Sequence, residues 1–148
     1  MVFFSEGPFR QFLTIQDIQD EMRSKPVWED RYRQLITWGK LLPAMPEIFK
    51  IEQVSYKGCE NQVVWVVSKV VGEHWFFCFD SDARIIRGFI AVVMAAVNGR
   101  TSKEIHTFDM KKYLSGLGLL EYLSLSRGSG LKAIVDEIYR RIKATTLP

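Results

Sequence analysis

The sequence predicts an α+β fold, in which a small three-stranded antiparallel sheet packs against several helices. Apolar residues recur at helical spacing on both sides of a middle segment, 51–79, which is instead rich in Val, Trp and Phe. The chain has 148 residues, of which 47% are hydrophobic, and this is enough for one core. We therefore expect one domain over residues 1–148, with about the first 12 residues loosely held.

Two helices are predicted before the sheet. Thr14 and Asp17 have the spacing of a capping box, in which a hydroxyl and a carboxylate satisfy free amides at a helix start. Pro26 can open the second helix, and Pro43 and Pro46 end it. The apolar faces consist of Ile15, Ile18 and Met22 in the first helix, and of Trp28, Tyr32, Leu35, Ile36 and Gly39 in the second.

Three strands are predicted in the middle of the chain, where apolar and polar residues alternate or where Val, Trp and Phe dominate. Gly72 allows a tight turn between the second and third strands, so these two form a hairpin. A polar loop, 57–62, separates the first strand from the second, and this loop carries Cys59. The predicted strands span 51–56, 63–71 and 73–79.

The most apolar helix is predicted directly after the sheet. Asp80, Ser81 and Asp82 supply side-chain oxygens for its N-terminus, and Asn98 and Gly99 end it. Because apolar residues cover almost all of its surface, we expect this helix at the centre of the core.

Shorter helices and a long final helix are predicted next. Thr101 and Glu104 repeat the capping-box spacing, Asp109 can cap another short helix, and residues 117–123 are apolar enough to lie against the core. Ser129 is the expected cap of the last helix. Its apolar stripe consists of Leu131, Ile134, Val135, Ile138, Tyr139 and Ile142, whereas Lys132, Asp136, Arg140, Arg141 and Lys143 point elsewhere.

The composition argues against several classes of function. The formal net charge is only +3, and the Lys and Arg residues are spread among acidic ones, whereas a nucleic-acid binder gathers them into a stripe with stacking aromatics. No apolar run reaches the roughly 20 residues that span a bilayer, and residues 1–10 lack the basic start and apolar stretch of a signal peptide. We expect a cytoplasmic protein that binds neither nucleic acid nor a membrane.

The two cysteines, Cys59 and Cys78, need separate explanations, because a reducing compartment argues against a disulfide between them. Cys78 lies in an apolar strand and is expected to be buried. Cys59 follows Gly58, which permits a sharp turn, and its polar neighbours favour exposure. On local sequence alone, both a reactive thiolate and an incidental loop cysteine remain open.

The two histidines do not suggest a catalytic or metal site. His74 falls in a predicted strand and His106 between predicted helices, and nothing places either beside Cys59 as a base. Zinc usually takes four close ligands, which two cysteines and two histidines at these spacings supply poorly. We therefore predict neither a hydrolase nor a metal centre.

Four sequence blocks occur in an order that is typical of one family. They are WEDRYRQLITWGKLLP (28–43), GCEN (58–61), DSDARIIRGFIAVV (80–93) and, more weakly, LSRGSGL (125–131). On these blocks the chain resembles the SufE/CsdE family of sulfur acceptors, also called cysteine desulfuration proteins, with the closer likeness on the CsdE side. The resemblance covers residues from about 27 to the C-terminus and implies a SufE-like fold.

The resemblance implies a transpersulfurase. Family members bind a pyridoxal-phosphate-dependent cysteine desulfurase of the SufS or CsdA kind, accept its sulfane sulfur as a persulfide on the cysteine of the GC segment, and stimulate the desulfurase. They then pass the sulfur to a downstream acceptor protein, for iron–sulfur cluster assembly or another sulfur-using pathway. The corresponding cysteine is Cys59, and the chain itself is expected to hold no cofactor and no metal.

The resemblance also implies roles for residues around this cysteine. Arg127, which matches the arginine of the family's Ser-Arg pair, is expected to support the thiolate, since a nearby cation lowers the pKa of a thiol. From the residues themselves, Gly58 is expected to support the loop by allowing a sharp turn, and Asp82 to border it, because Asp82 follows the strand that pairs with the one leaving the loop. Glu60 and Asn61 are expected to contact the partner. Arg127 could instead be a solvated helix-end residue, and the whole protein could be a non-catalytic regulatory or scaffolding partner of a sulfur-transfer complex.

Overall fold

The computed structural model describes Phe9 and residues 13–54, 63–123 and 130–146. Within these ranges the chain forms six α-helices, two short 3-10 helices and a four-stranded antiparallel sheet, which confirms the predicted α+β class. None of the described helices is both long and apolar enough to cross a membrane. The α-helices are α1 (Ile15–Arg23), α2 (Trp28–Leu41), α3 (Arg84–Val97), α4 (Ser102–Thr107), α5 (Met110–Gly116) and α6 (Leu131–Thr146). The strands, in sheet order, are β1 (Glu52–Val54), β2 (Val64–Val71), β3 (His74–Ser81) and β4 (Arg100–Thr101), and the 3-10 helices are Glu47–Phe49 and Leu120–Leu123.

The predicted helix starts are confirmed at three positions. In α1 the Thr14 hydroxyl accepts a hydrogen bond from the Asp17 N–H, and the Asp17 carboxylate accepts one from the Thr14 N–H. Thr101 and Glu104 form the same reciprocal pair in α4. Asp109 caps α5 by accepting from the backbone of the third helical residue. These caps satisfy amides that a helix start leaves without intrahelical partners.

The predicted apolar face of α2 is only partly correct. Leu35 and Gly39 are buried, together with Trp38, but Trp28 and Tyr32 are 37% and 43% exposed. The reason is that α2 packs on α3 through its C-terminal half, where Leu35 and Gly39 meet the backbone of α3. Trp28 instead stacks on an aromatic ring of the 3-10 helix Leu120–Leu123 at the edge of the core.

The sheet has one strand more than predicted. β2 and β3 form the predicted hairpin, with Gly72 at a φ of 62° in its turn, and β1 pairs with β2. The additional strand, β4, pairs with the start of β3. A two-residue strand has no alternation that sequence analysis could detect. It forms because the Gly99 N–H donates to the Trp75 carbonyl at 2.7 Å, which returns the chain to the sheet after α3.

The main core lies between one face of the sheet and the helices, with α3 at its centre as predicted. Eleven residues of α3 are buried, and it packs against Phe77 and Phe79 of β3. The predicted stripe of α6 is also confirmed, since Leu131, Ile134 and Ile138 are fully buried. The cap predicted at Ser129 lies outside the described residues.

The opposite face of the sheet carries a smaller apolar cluster. Phe9, Met45 and Cys78 are its buried members, so the predicted burial of Cys78 is confirmed. The carbonyl of Phe9 accepts a hydrogen bond from the Asn98 side chain at 2.7 Å. The predicted looseness of the N-terminal segment otherwise concerns residues 1–8 and 10–12, which lie outside the described residues.

Candidate functional site

Most of the predicted site residues lie in two segments outside the described residues, 55–62 and 124–129. Their roles therefore stay predictions, and the structure describes the framework to which these segments are attached. The residues concerned are Gly58, Cys59, Glu60, Asn61 and Arg127.

The segment that carries Cys59 is attached at one end of the sheet. It follows Val54 of β1 and precedes β2, and Val54 pairs with Val64 in the register of these two strands. Val64 in turn pairs with Ser81, the last residue of β3. The chain therefore leaves and re-enters the sheet where β3 ends and α3 begins, opposite the β2–β3 turn. We call this region the open end of the sheet.

The segment with Arg127 is followed by α6, which contacts α3, α4 and β1. The C-terminal half of α6 contacts α4, because the Tyr139 hydroxyl donates to the Ile105 carbonyl at 3.4 Å. α4 lies near the β2–β3 turn, since its Ser102 hydroxyl accepts from the Trp75 indole at 2.8 Å.

A buried ion pair holds the end of β3. The Asp80 carboxylate is on a residue only 5% exposed, and it accepts hydrogen bonds from the Met45 N–H at 2.9 Å and the Ser81 N–H at 2.7 Å. It also pairs directly with the guanidinium of Arg87 on α3. A buried carboxylate needs such partners because removing a charge from water is costly.

Arg87 extends this connection to α2. Its guanidinium also donates to the carbonyls of Gly39 at 3.0 Å and Leu42 at 2.6 Å, at the C-terminal end of that helix. A helix end leaves its last carbonyls without the usual donors four residues later, and the Gly39 carbonyl also accepts from the Leu42 N–H at 3.3 Å. One arginine thus joins the end of β3, the start of α3 and the end of α2.

The prediction that Asp80, Ser81 and Asp82 cap α3 is wrong. The N-cap is Ala83, and no side chain of the described residues accepts a hydrogen bond in a capping position there. The reason is that β3 continues to Ser81 instead of ending at residue 79, so these residues come too early in the chain. The Ser81 hydroxyl does accept from the Ala83 N–H at 3.2 Å, and Asp82 is exposed at the open end.

Two exposed isoleucines lie just before β1 and were missed by the sequence analysis. Ile48 and Ile51 are 77% and 81% exposed. Lys50 between them lies 4.7 Å from the centre of the Trp65 ring, and its pKa is raised, chiefly by a hydrogen bond to Glu47. Ile51 was predicted as the first residue of the first strand, whereas β1 begins at Glu52 and Ile51 lies just outside it.

The histidines do not belong to this region. His74 lies at the β2–β3 turn, seven residues before Ser81, which places it about 23 Å from the open end at the usual rise per strand residue. His106 lies inside α4, and not between helices as predicted. In the described part of the chain, no group of three or more His, Cys, Asp or Glu side chains could hold a metal ion.

Comparison with known proteins identifies the family. The family model SufE, described as an Fe-S metabolism associated domain, matches residues 16–142. The chain belongs to the SufE family. This confirms the resemblance found in the sequence blocks.

Individual relatives cover nearly the whole chain. The sulfur acceptor protein CsdE of Escherichia coli (strain K12) is 38% identical over 142 residues, 95% of each chain. An uncharacterized SufE-like protein of Rhizobium meliloti (strain 1021) is 36% identical over 88% of this chain and 93% of its own. The solution structure of a hypothetical protein from Thermus thermophilus has a TM-score of 0.65 over 88% of this chain and 93% of that chain. At 17% identity, the last comparison shows the fold alone.

Proposed function

We propose that this SufE-family chain is a sulfur acceptor in which Cys59 takes sulfane sulfur, as a persulfide, from a pyridoxal-phosphate-dependent cysteine desulfurase. It then passes the sulfur to a second acceptor protein, for iron–sulfur cluster assembly or another sulfur-using pathway in the cytoplasm. The observation that carries this proposal is the 38% identity with the sulfur acceptor protein CsdE, which extends over 95% of both chains.

The environment of the second cysteine supports the assignment to Cys59. Cys78 is 2% exposed, and burial, with a smaller contribution from Asp80, raises the pKa of its thiol to about 12. A thiol acts as a nucleophile only as the thiolate, and a partner protein must be able to reach it. Cys78 meets neither condition, which leaves Cys59 as the candidate acceptor.

The transfer step is a thiol exchange. The Cys59 thiolate attacks the outer sulfur of the donor persulfide, and a new sulfur–sulfur bond forms on Cys59. The bond between the two donor sulfurs breaks, and its electron pair leaves on the donor cysteine as a thiolate. No external oxidant or reductant is needed, and the pyridoxal phosphate stays on the partner.

The framework at the open end supports such a direct exchange. Cys59 is five residues from both Val54 and Val64, so covalent reach keeps its Cα within about 18 Å of these paired residues. Ile48 and Ile51 are strongly exposed just before β1. We infer that the donor covers this apolar surface when it docks, because exposed apolar side chains commonly mark protein interfaces.

Arg127 is proposed to support the thiolate. A cation close to a thiol stabilises its charged form and so lowers its pKa. If this role is correct, Arg127→Ala should shift the alkylation rate profile of Cys59 to higher pH. An unchanged profile together with unchanged sulfur acceptance would leave Arg127 as a solvated helix-end residue.

The deciding experiment is intact-mass measurement after incubation with a SufS-type or CsdA-type desulfurase and cysteine. The wild-type chain and a Cys78→Ala control should each gain one sulfur atom, and the gain should be absent in Cys59→Ser. If the wild-type chain binds the desulfurase but gains no sulfur, the proposal fails in favour of a regulatory or scaffolding role.

A further inference from the structure

Arg141 of α6 contacts two strands of the sheet at once. Its guanidinium donates to the hydroxyl of Ser68 on β2 at 2.7 Å and to the carboxylate of Glu52 on β1 at 2.5 Å. A third bond, at 2.7 Å, goes to Glu137 one turn earlier in the helix. The Arg141 side chain is only 13% exposed, although the sequence pattern placed it on the polar face of α6.

The three partners are arranged so that one planar guanidinium can serve them all. Glu52 lies directly opposite Val66, and Ser68 is two residues further along β2, so their side chains share the sheet face that α6 covers. Arginine presents several N–H donors in a fixed fork, and a lysine ammonium on a flexible stem does not. From α6, Arg141 therefore connects β1 and β2 through one side chain of each strand.

β1 needs this support more than the other paired segments near the open end. It has three residues, it lies at the edge of the sheet, and among the described strands it pairs with β2 alone. Glu52 and Gln53 are exposed, so little apolar burial holds the strand in place. Short edge segments with exposed hydrogen bonds open at low free energy.

We propose that Arg141 is a positioning residue for sulfur transfer. By tying Glu52 to β2 it keeps β1 paired, and so it fixes the point from which the segment with Cys59 leaves the sheet. This inference rests on the proposed function of Cys59. A strand end that is already ordered lowers the entropy lost when the donor docks, and this benefits binding more than the chemical step.

Arg140 provides a matched control on the same helix. Its side chain is 64% exposed, and it also hydrogen-bonds to Glu137, at 3.0 and 2.5 Å. Arg140→Gln therefore removes the same charge, next to the same carboxylate, without removing the hydrogen bonds to Glu52 and Ser68. Glu52→Gln removes the ion pair and its charge-assisted bond from the strand side, at a side chain that is 65% exposed, and so avoids any disturbance of the core.

The test combines hydrogen exchange of the β1 backbone with the kinetics of the stimulated desulfurase. Arg141→Gln and Glu52→Gln should each speed exchange of the β1 amides that donate to β2 about tenfold, the size expected for one lost charge-assisted bond. Both should raise the KM for this chain as sulfur acceptor about fivefold and keep kcat within twofold. Arg141→Lys should fall between Arg141→Gln and the wild type, and Arg140→Gln should match the wild type.

Three outcomes would overturn the inference. They are unchanged exchange in β1, a KM that stays at the wild-type value despite faster exchange, and an equal rise in KM for Arg140→Gln. The first outcome would show that Arg141 does not keep β1 paired. The second would show that this contact stabilises the strand without affecting docking. The third would show that the rise in KM reflects the loss of positive charge on α6 and not the contact with β1. Failure of the proposed function is distinguishable from these outcomes, because the wild-type chain itself would then gain no sulfur. The exchange measurement would still test whether Arg141 keeps β1 paired.

Discussion

Arg87→Met should destabilise the protein strongly, because it leaves a buried carboxylate without its cation. Asp80 would retain two backbone N–H donors, from Met45 and Ser81. The Leu42 carbonyl would lose the Arg87 donor as well, and the Gly39 carbonyl would keep the Leu42 N–H as a donor. Methionine keeps the apolar stem of the side chain, so the loss of packing should be small.

The expected size follows from the burial of both partners. The side chains of Asp80 and Arg87 are 7% and 19% exposed. Removing one member of a buried pair costs about 3–5 kcal/mol, and the partial exposure of Arg87 places the expected loss at about 3–4 kcal/mol. Asp80→Asn should cost less, about 1–3 kcal/mol, because Arg87 then still donates to two carbonyls. The double variant should fall short of the sum by about 1–3 kcal/mol.

Urea unfolding followed by circular dichroism at neutral pH measures these free energies of unfolding. Arg84→Met is the matched control, because Arg84 is exposed in the first turn of the same helix. This substitution should change the free energy of unfolding by no more than about 0.5 kcal/mol. If Arg87→Met cost no more than Arg84→Met, or less than Asp80→Asn, the ion pair would not hold the end of β3 in the way described.

Three further predictions concern packing, thiol reactivity and pH. Gly88→Ala should cost about 3 kcal/mol in urea unfolding, because a Cβ there would lie 2.3 Å from a carbonyl oxygen of α2. Gly116→Ala, with no atom within 4 Å of the new Cβ, should be neutral or slightly stabilising, and equal losses at both glycines would contradict the close approach. In a Cys59→Ser chain, the Cys78 thiol should react with a disulfide reagent only after unfolding, since burial raises its pKa to about 12, and rapid labelling of the native chain would refute this. Burial alone would raise the pKa of Glu137, but hydrogen bonds from neighbouring arginines lower it overall from its ordinary value of 4.5. Its stabilisation is therefore complete above that value and lost as pH falls through the lower folded pKa, so the difference in unfolding free energy between wild type and Glu137→Gln should shrink from about pH 6 to about pH 3. If the difference in unfolding free energy did not change with pH, the lowered pKa of Glu137 would be contradicted.

The parts of the fold that repeat a local pattern were predictable from the sequence. α3 and α6 have long apolar patterns at helical spacing, and the capping boxes depend on residues three positions apart. β4 has no such pattern, because its two residues become a strand only by pairing with the start of β3. The end of β3 was misjudged for a related reason. Aspartate is a common helix cap, so Asp80 was taken for one. Its partners, Arg87 and the backbone of Met45, are brought to it by tertiary packing.

The candidate site was likewise predictable only where a local motif defines it. The sequence blocks predicted the family and named Cys59, because a short motif is local in the chain. The surroundings of the open end were not predicted, since Ile48 and Ile51 could have been buried by any neighbouring element, and the structure leaves them exposed. Arg141 was assigned to a polar helix face for lack of any signal that Glu52, 89 positions earlier, lies beside it.

If Cys59 carries a persulfide as proposed, the contrast between the two cysteines explains why the sulfur would not pass to the second cysteine of the same chain. A persulfide on Cys59 could pass to Cys78 only if that thiol ionised and reached it. Burial raises the pKa of the Cys78 thiol to about 12, so this thiol stays protonated at neutral pH, whereas an unperturbed thiol is a few per cent ionised. Its side chain also lies in the apolar cluster with Phe9 and Met45, on the face of the sheet away from the main core. Burial therefore gives Cys78 a packing role, and under the proposed function it would leave the sulfur on Cys59 available for exchange with a partner protein.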